Sequence, residues 1–435
     1  MSSSNESMGI ATAETPRASM VRWRIFFILM LLTAINYIDR ASLSVALPLI
    51  SSEFNLQPWH EGLLLSAFFW SYALMQIPVG LLIDRFQARN IIGIATVTWG
   101  AFQALGAAST GWTTLLLTRM GLGVAESPIF PAGAKLNSAW LTPNERGRGA
   151  VLLDGGAPLG TALGALIIAG LITLFGSWQI AFVIAGVGTM AAGLWAWRVI
   201  RDHPTEHPAV NAAELAHIQN SANLGRKPIA AERVPFRTLI RDRSVLSMFA
   251  GYSCITSVFY GLLTWMPSYL HQTHGLNIAA MGSATFGIFM CGFVGELIGG
   301  VVADRWRSNG GSPNLVMRSM FSGSALVAAI CILGVAYSAN TGTAIALLCV
   351  ALFFIRWCGM YWSLPAILGE KSKVATLAGM MNFFGNIAGV IVPILVGALV
   401  QYTDSYFAAL LFFVVMALLL ALFSCIIDYR ERGAR

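Results

Sequence analysis

The sequence predicts an all-α membrane protein of twelve spanning helices in two pseudo-symmetric six-helix halves. Three observations carry this: apolar blocks long enough to cross a bilayer, basic residues confined to alternate connections, and a hexapeptide that recurs after 220 residues. Of 435 residues, 56% are apolar and 11% charged, too few charges to cover a soluble surface of this size. The net charge of +7 does not point to nucleic acid, because the basic residues sit in short connections where membrane topology explains them.

The apolar blocks run over 24–50, 61–83, 90–108, 113–138, 148–174 and 177–200, then 244–271, 279–303, 317–338, 342–368, 374–401 and 404–428. Backbone groups in lipid must bond within their own segment, so each block is a helix. Pro78, Pro128, Pro131, Pro158, Pro267 and Pro393 mark places where such helices bend. The expected domains are a segment over 1–23, a bundle over 24–200, a polar central loop over 201–243, a second bundle over 244–428 and a tail over 429–435. The first twenty residues carry no cleavage pattern, so the first helix is expected to remain as an anchor.

Orientation follows from the connections. Arg85 and Arg89, Arg146 and Arg148, Arg305 and Arg307, and Lys371 and Lys373 alternate with connections that lack Lys and Arg. Arg17, Arg22, Arg24, the central loop and Arg430, Arg432 and Arg435 fall on the basic side. That side is expected to be cytoplasmic, with both termini on it, in a bacterial inner membrane. All six cysteines lie inside apolar blocks and none forms a CxxC pair, so neither disulfides nor a metal site is expected. His203 and His207 stand in a Pro-containing polar loop, where a solvated loop is the expected reading. No cofactor or metal is expected.

The repeat is Gly80-Leu-Leu-Ile-Asp84-Arg85 against Gly300-Val-Val-Ala-Asp304-Arg305. Both copies close a helix at the basic boundary. Duplicated halves joined by a long loop describe a transporter body with its site between the halves at mid-membrane. Gly80-xxx-Asp84-Arg85-xxx-Arg89 resembles the loop motif of the major facilitator superfamily, with Gln87 in place of the usual second glycine. The resemblance extends over the whole chain. It implies a latch on the basic side that biases the carrier outward-facing, built from Gly80, Asp84, Arg85, Arg89, Asp304 and Arg305. Asp84 would face the positive end of the eleventh helix near Val374. The plain alternative is a capped helix end.

Ionisable residues inside apolar spans are costly and mark function by default. Asp39 and Arg40 lie midway along the first span, about 100° apart on a helix. Arg40 shares its face with Tyr37 and Asn36, a setting suited to an anion, while Asp39 faces another helix of the same half. Arg119 and Glu126 are seven residues apart on the fourth span, along one stripe and about 10 Å apart. One network pairs Asp39 with Arg119 and leaves Glu126 to load and release protons. A static cluster holding two helices together is the plain alternative.

Tyr37-Ile38-Asp39-Arg40, Ser66-Ala67-Phe68 with Tyr72 and Gln76-Ile77-Pro78, and Arg119 with Glu126-Ser127-Pro128 resemble the anion:cation symporter branch of that superfamily. The resemblance implies a proton-coupled importer of a small organic anion, working as a monomer by alternating access. Asp39 and Glu126 would carry protons, Arg119 would tune Asp39, and Arg40 would bind the substrate carboxylate. Tyr37 and Tyr72 would line the cavity, and Trp362, Ser363 and Asn382 would complete a sugar-acid site. Ala157 stands where galactonate-type carriers have a glutamine, which loosens the sugar-acid reading. Asp154, Glu296 and Arg356 add three more intramembrane charges. Arg356 either pairs with Glu296 or Asp154 for structure, or faces Arg40 as a second anion ligand suited to a dianion. Dicarboxylates, sulfo-carboxylates and aromatic acids are then as plausible as sugar acids. The competing functions are sodium-coupled or uncoupled carriage of the same anion, and a non-transporting sensor. An enzyme is not expected, since no nucleophile–base pair or metal set recurs in the spans.

Overall fold

A computed structural model describes residues 18–142, 145–224, 241–369 and 374–430. Position 80, the side chains of Asp84, Asp304 and Val374, and all of Arg17, Lys371, Lys373, Arg432 and Arg435 lie outside the described residues, so the latch expected at Asp84 does too. The described chain is almost wholly helical. Nine helices meet the length and composition of a membrane span among the described residues.

The first half contains α1 (Val21–Phe54), α2 (Pro58–Arg85), α3 (Ala88–Gly106), α4 (Trp112–Glu126), α5 (Ile129–Trp140), α6 (Arg146–Phe175) and α7 (Trp178–Val199). The second contains α9 (Arg243–His274), α10 (Ile278–Ser308), α11 (Pro313–Ala336), α12 (Thr341–Ile355), α13 (Leu364–Leu368), α14 (Val374–Thr403) and α15 (Phe407–Ile426). Side-chain caps start several of them. Asp242 accepts from Ser244 N, Asn277 from Ala280 N, Ser312 from Leu315 N and Asn340 from Thr343 N, each satisfying an amide that the first turn leaves unpaired.

Two predicted spans are broken. The fourth stops at Glu126 and resumes at Ile129 across Ser127-Pro128, because proline lacks the N–H that the helix needs. The tenth leaves α-geometry at Arg356, continues as a 3-10 turn to Ser363 and ends in α13. The breaks fall at corresponding helices of the two halves, and each adjoins a buried charge.

The polar central loop carries regular structure of its own. It contains α8 (Ala212–Leu224), announced by Asn211, whose side chain accepts from Glu214 N at 2.9 Å. Glu214 then turns back on α1, accepting from Val21 N at 2.9 Å, Arg22 N at 3.1 Å and Arg22 Nη1 at 2.9 Å. The start of the first span is thus capped by a carboxylate from the loop between the halves.

Small residues set the close approaches. Gly156, Gly160 and Gly164 of α6 press on the α1 backbone at Met30, Ala34 and Ile38, as small residues do where membrane helices touch. Gly292, Gly295 and Gly299 of α10 lie likewise against Leu352, Phe353, Arg356 and Trp357. The halves meet along α2 with α14, α6 with α10, and α1 with α9. The α2–α14 seam closes where Gly62 abuts Pro393 and Gly397 abuts Pro58; in the α6–α10 seam Gly282 abuts Ala165 and Ala169. These contacts lie towards the ends remote from the termini.

Candidate functional site

The glycine seam of α6 sets the depth and rotation of α1, and with them the direction of its two charges. Arg40 points into the interface. Its guanidinium carbon lies 4.7 Å from the Tyr37 ring centroid, 4.3 Å from Phe68 and 4.8 Å from Tyr72. Its Nε donates to Glu126 Oε2 at 3.0 Å. Arg40 Nη2 and Glu126 Oε1 are buried without a hydrogen-bond partner among the described residues, as are both side-chain polar atoms of Asn36. Buried polar groups are rarely left so.

Asp39, 100° round the helix, faces its own half as expected. Its carboxylate accepts from Trp99 Nε1 at 3.0 Å and Thr189 Oγ1 at 2.9 Å. The expected pairing of Asp39 with Arg119 does not form between side chains. Arg119 instead donates to the Asp39 main-chain carbonyl at 3.3 Å and to Gln103 Oε1 at 3.1 Å, and stacks on Phe182 at 4.8 Å. Glu126 is correspondingly not left alone, because it holds Arg40. The reason is axial: Arg119 stands two turns from Glu126, so when Glu126 is level with Arg40 the Arg119 side chain reaches back only to the Asp39 backbone. Asp39 and Glu126 are fully buried, and Arg119 is 3% exposed.

The second half contributes aromatic groups that the sequence reading did not single out. Phe259 lies 6.5 Å from the Tyr37 centroid across the halves and 5.7 Å from the Tyr260 ring. Tyr260 also packs on Phe69 at 4.7 Å. Tyr252 meets Trp362 edge-on at 5.6 Å and lies against Gly385. Trp362 and Ser363 are exposed in the unwound stretch of the tenth span, with Ser363 Oγ donating to Met360 O at 2.7 Å. Asn382 is half-buried and accepts from Asn386 Nδ2 at 2.9 Å through its carbonyl and 3.2 Å through its side chain.

Arg356 pairs with both acids that the sequence offered. Its Nη2 and Nε (3.2 Å) donate to Glu296 Oε2, and Nη2 lies 3.8 Å from Asp154 Oδ2. Glu296 belongs to the same half as Arg356, whereas Asp154 belongs to the other. The Arg356 guanidinium carbon is 5.0 Å from the Phe259 ring, so a chain of ring contacts through Tyr37 and Phe259 links Arg40 to Arg356.

At the basic end, Arg85 projects outward beside Phe86. Arg89 stays within its own half, donating Nε to Trp197 O at 2.8 Å and N to Asp202 Oδ1 at 3.3 Å. Arg305 is exposed in the last turn of α10. Lys135, which the sequence reading passed over, caps α2 by donating to Ile83 O at 2.6 Å and Phe86 O at 3.1 Å.

Residues 29–393 match the model of the Major Facilitator Superfamily. Over 411 residues the chain is 30% identical to the probable galactarate/D-glucarate transporter of Bacillus subtilis (strain 168), spanning 91% of this chain and 89% of that one. It is 31% identical over 415 residues to the probable galactarate/D-glucarate transporter of Escherichia coli (strain K12), spanning 92% and 93%. Among solved structures, a bacterial homologue of the human lysosomal transporter Spinster, inward-facing and unoccupied, superposes with TM-score 0.71 at 17% identity over 93% of this chain and 94% of that one. That likeness shows the fold alone.

Proposed function

The chain belongs to the Major Facilitator Superfamily, and from that premise we propose that it imports a small organic anion together with protons by alternating access. The observation that carries the reading is Arg40: a buried guanidinium stacked among three rings between the halves, held by Glu126 and retaining a buried nitrogen, Nη2, without a partner among the described residues. Sugar acids are the leading substrates, since the relatives above are named for galactarate and D-glucarate.

Coupling follows from competition. A substrate carboxylate and Glu126 seek the same guanidinium, and two carboxylates crowded on one cation repel. A proton on Glu126 removes that repulsion and releases Arg40 for the substrate, so anion and proton enter together. Asp39, bonded to Trp99 and Thr189 and backed by Arg119, is the second proton carrier. Tyr37, Tyr72, Trp362, Ser363 and Asn382 line the path. We place the basic ends and both termini in the cytoplasm of a bacterial inner membrane, with a single chain as the working unit. The seams then close on the outer side, and the form described is open inward. Gly80, Asp84, Arg85, Arg89, Asp304 and Arg305 would engage as a latch in the opposite form.

The test uses proteoliposomes and galactarate as probe. Uptake should collapse when the proton gradient is dissipated and persist without sodium. Glu126→Gln and Asp39→Asn should lose net uptake while retaining exchange. Unchanged net uptake in both variants would overturn the proton roles, and uptake that follows a sodium gradient instead would identify a sodium-coupled carrier.

A further inference from the structure

The Asp154–Arg356–Glu296 cluster is not used by the coupling scheme above, and its two arms are unequal. Glu296 is hydrogen-bonded to Arg356 through two nitrogens, held there by the glycine contacts between α10 and the tenth span. Asp154 lies at 3.8 Å, within ion-pair range but beyond a hydrogen bond. It is also the most open of the three, with its side chain 28% exposed against 15% for Glu296 and 10% for Arg356. It alone comes from the first half. Asp154 is eleven residues from Ala165, where α6 and α10 touch, so the ion pair crosses the interface about 16 Å further along the helix.

We infer that Asp154 is a built-in competitor at a second anion subsite on Arg356, displaced when a substrate brings a second acidic group, so that the carrier selects dianions. The inference rests on the anion-carrier reading and deepens it. One acidic group of the substrate meets Arg40 in the first half. The other takes the Asp154 position on Arg356 in the second half, and the Asp154 side chain moves to its solvent-exposed side. Glu296 stays in place and keeps the guanidinium fork oriented. The Tyr37–Phe259 pair, in contact with both arginines, offers an apolar wall to the carbon chain. Such a ligand replaces a weak inter-half ion pair with its own bridge, and so draws the halves together only when both acidic groups are present.

Purified full-length protein is titrated with matched acids differing at one end: galactarate against galactonate, succinate against butyrate, and sulfoacetate against acetate. The wild type should favour the dianion of each pair. Arg356→Gln should weaken dianion binding about tenfold or more and leave the monoanions within about twofold. Asp154→Asn should tighten dianions several-fold and leave monoanions unchanged, a gain that a merely structural ion pair would not produce. Arg356→Lys, which keeps the charge without the fork, serves if Arg356→Gln does not fold, and should show a reduced dianion preference. Equal weakening of both members of each pair by Arg356→Gln, or weaker dianion binding in Asp154→Asn, would overturn the inference. Monoanions binding without any dianion preference would also overturn it while leaving the carrier reading intact. No binding by any acid to the folded wild type would overturn both.

Discussion

Arg40 combines roles that separate cleanly under substitution. Its planar guanidinium stacks on Tyr37, Phe68 and Tyr72 while its edge bonds Glu126. Lysine keeps the charge but cannot stack a flat face or present a fork. Arg40→Lys should therefore weaken binding of an acid such as galactarate by about 2–3 kcal/mol, roughly 30- to 150-fold. Isothermal titration checks this, and an affinity within twofold of the wild type would show that only point charge matters. Asp39, Arg40, Arg119 and Glu126 were legible in sequence because an ionised side chain stands out in an apolar run. Tyr260, Phe259, Trp99, Thr189 and Gln103 were not, because uncharged residues in a spanning helix look alike until packing turns some of them towards a charge.

At the scale of elements, α8 shows how a loop can secure a span. Glu214 caps the start of α1 and binds Arg22, which also bonds Glu145 through Nη2 at 3.0 Å and Nε at 3.2 Å. Burial alone would raise the Glu214 carboxyl, but hydrogen bonds from Ser19, Arg22 and Val21 outweigh it and hold the group below its ordinary 4.5. Burial is likewise outweighed at Glu145 by hydrogen bonds from Arg22 and Thr142. Depressed carboxyls add stability above their ordinary pKa and lose it as pH falls through the folded values. Thermal melting should thus show stability falling below about pH 4.5, more shallowly in Glu214→Gln. That variant should also cost about 1–3 kcal/mol at neutral pH, because Arg22 loses a charged partner while buried. An identical acid limb in the variant would contradict this account. The Asn211-x-x-Glu214 spacing was a readable helix start. The polar composition of 201–243 obscured it.

At the scale of the molecule, the two halves touch at the ends remote from the termini and across the Arg40 layer. Gly62 is where the α2–α14 seam tolerates no side chain: a Cβ there would lie 2.7 Å from the Pro393 carbonyl oxygen. Gly62→Leu should pry that end apart and shift the population towards the form open on that side. Spin labels across the end remote from the termini should move apart and labels across the basic end should approach. Distances unchanged at both ends would mean that the seam does not set the equilibrium.

Hydropathy, connection charges and the 220-residue repeat determined the helical class and the two-half plan, because each is a property of the chain read in one dimension and the bilayer enforces it directly. The same reading found every intramembrane charge used here. Only the tertiary structure decided the partners: Glu126 with Arg40, Arg119 with the Asp39 carbonyl, Asp154 with Arg356 across the halves, and Glu214 with the start of α1. Partnership depends on how far each helix is rotated and slid against its neighbours. Glycine contacts such as Gly160 on Ala34 set those offsets, and a shift of one residue turns a side chain by 100°.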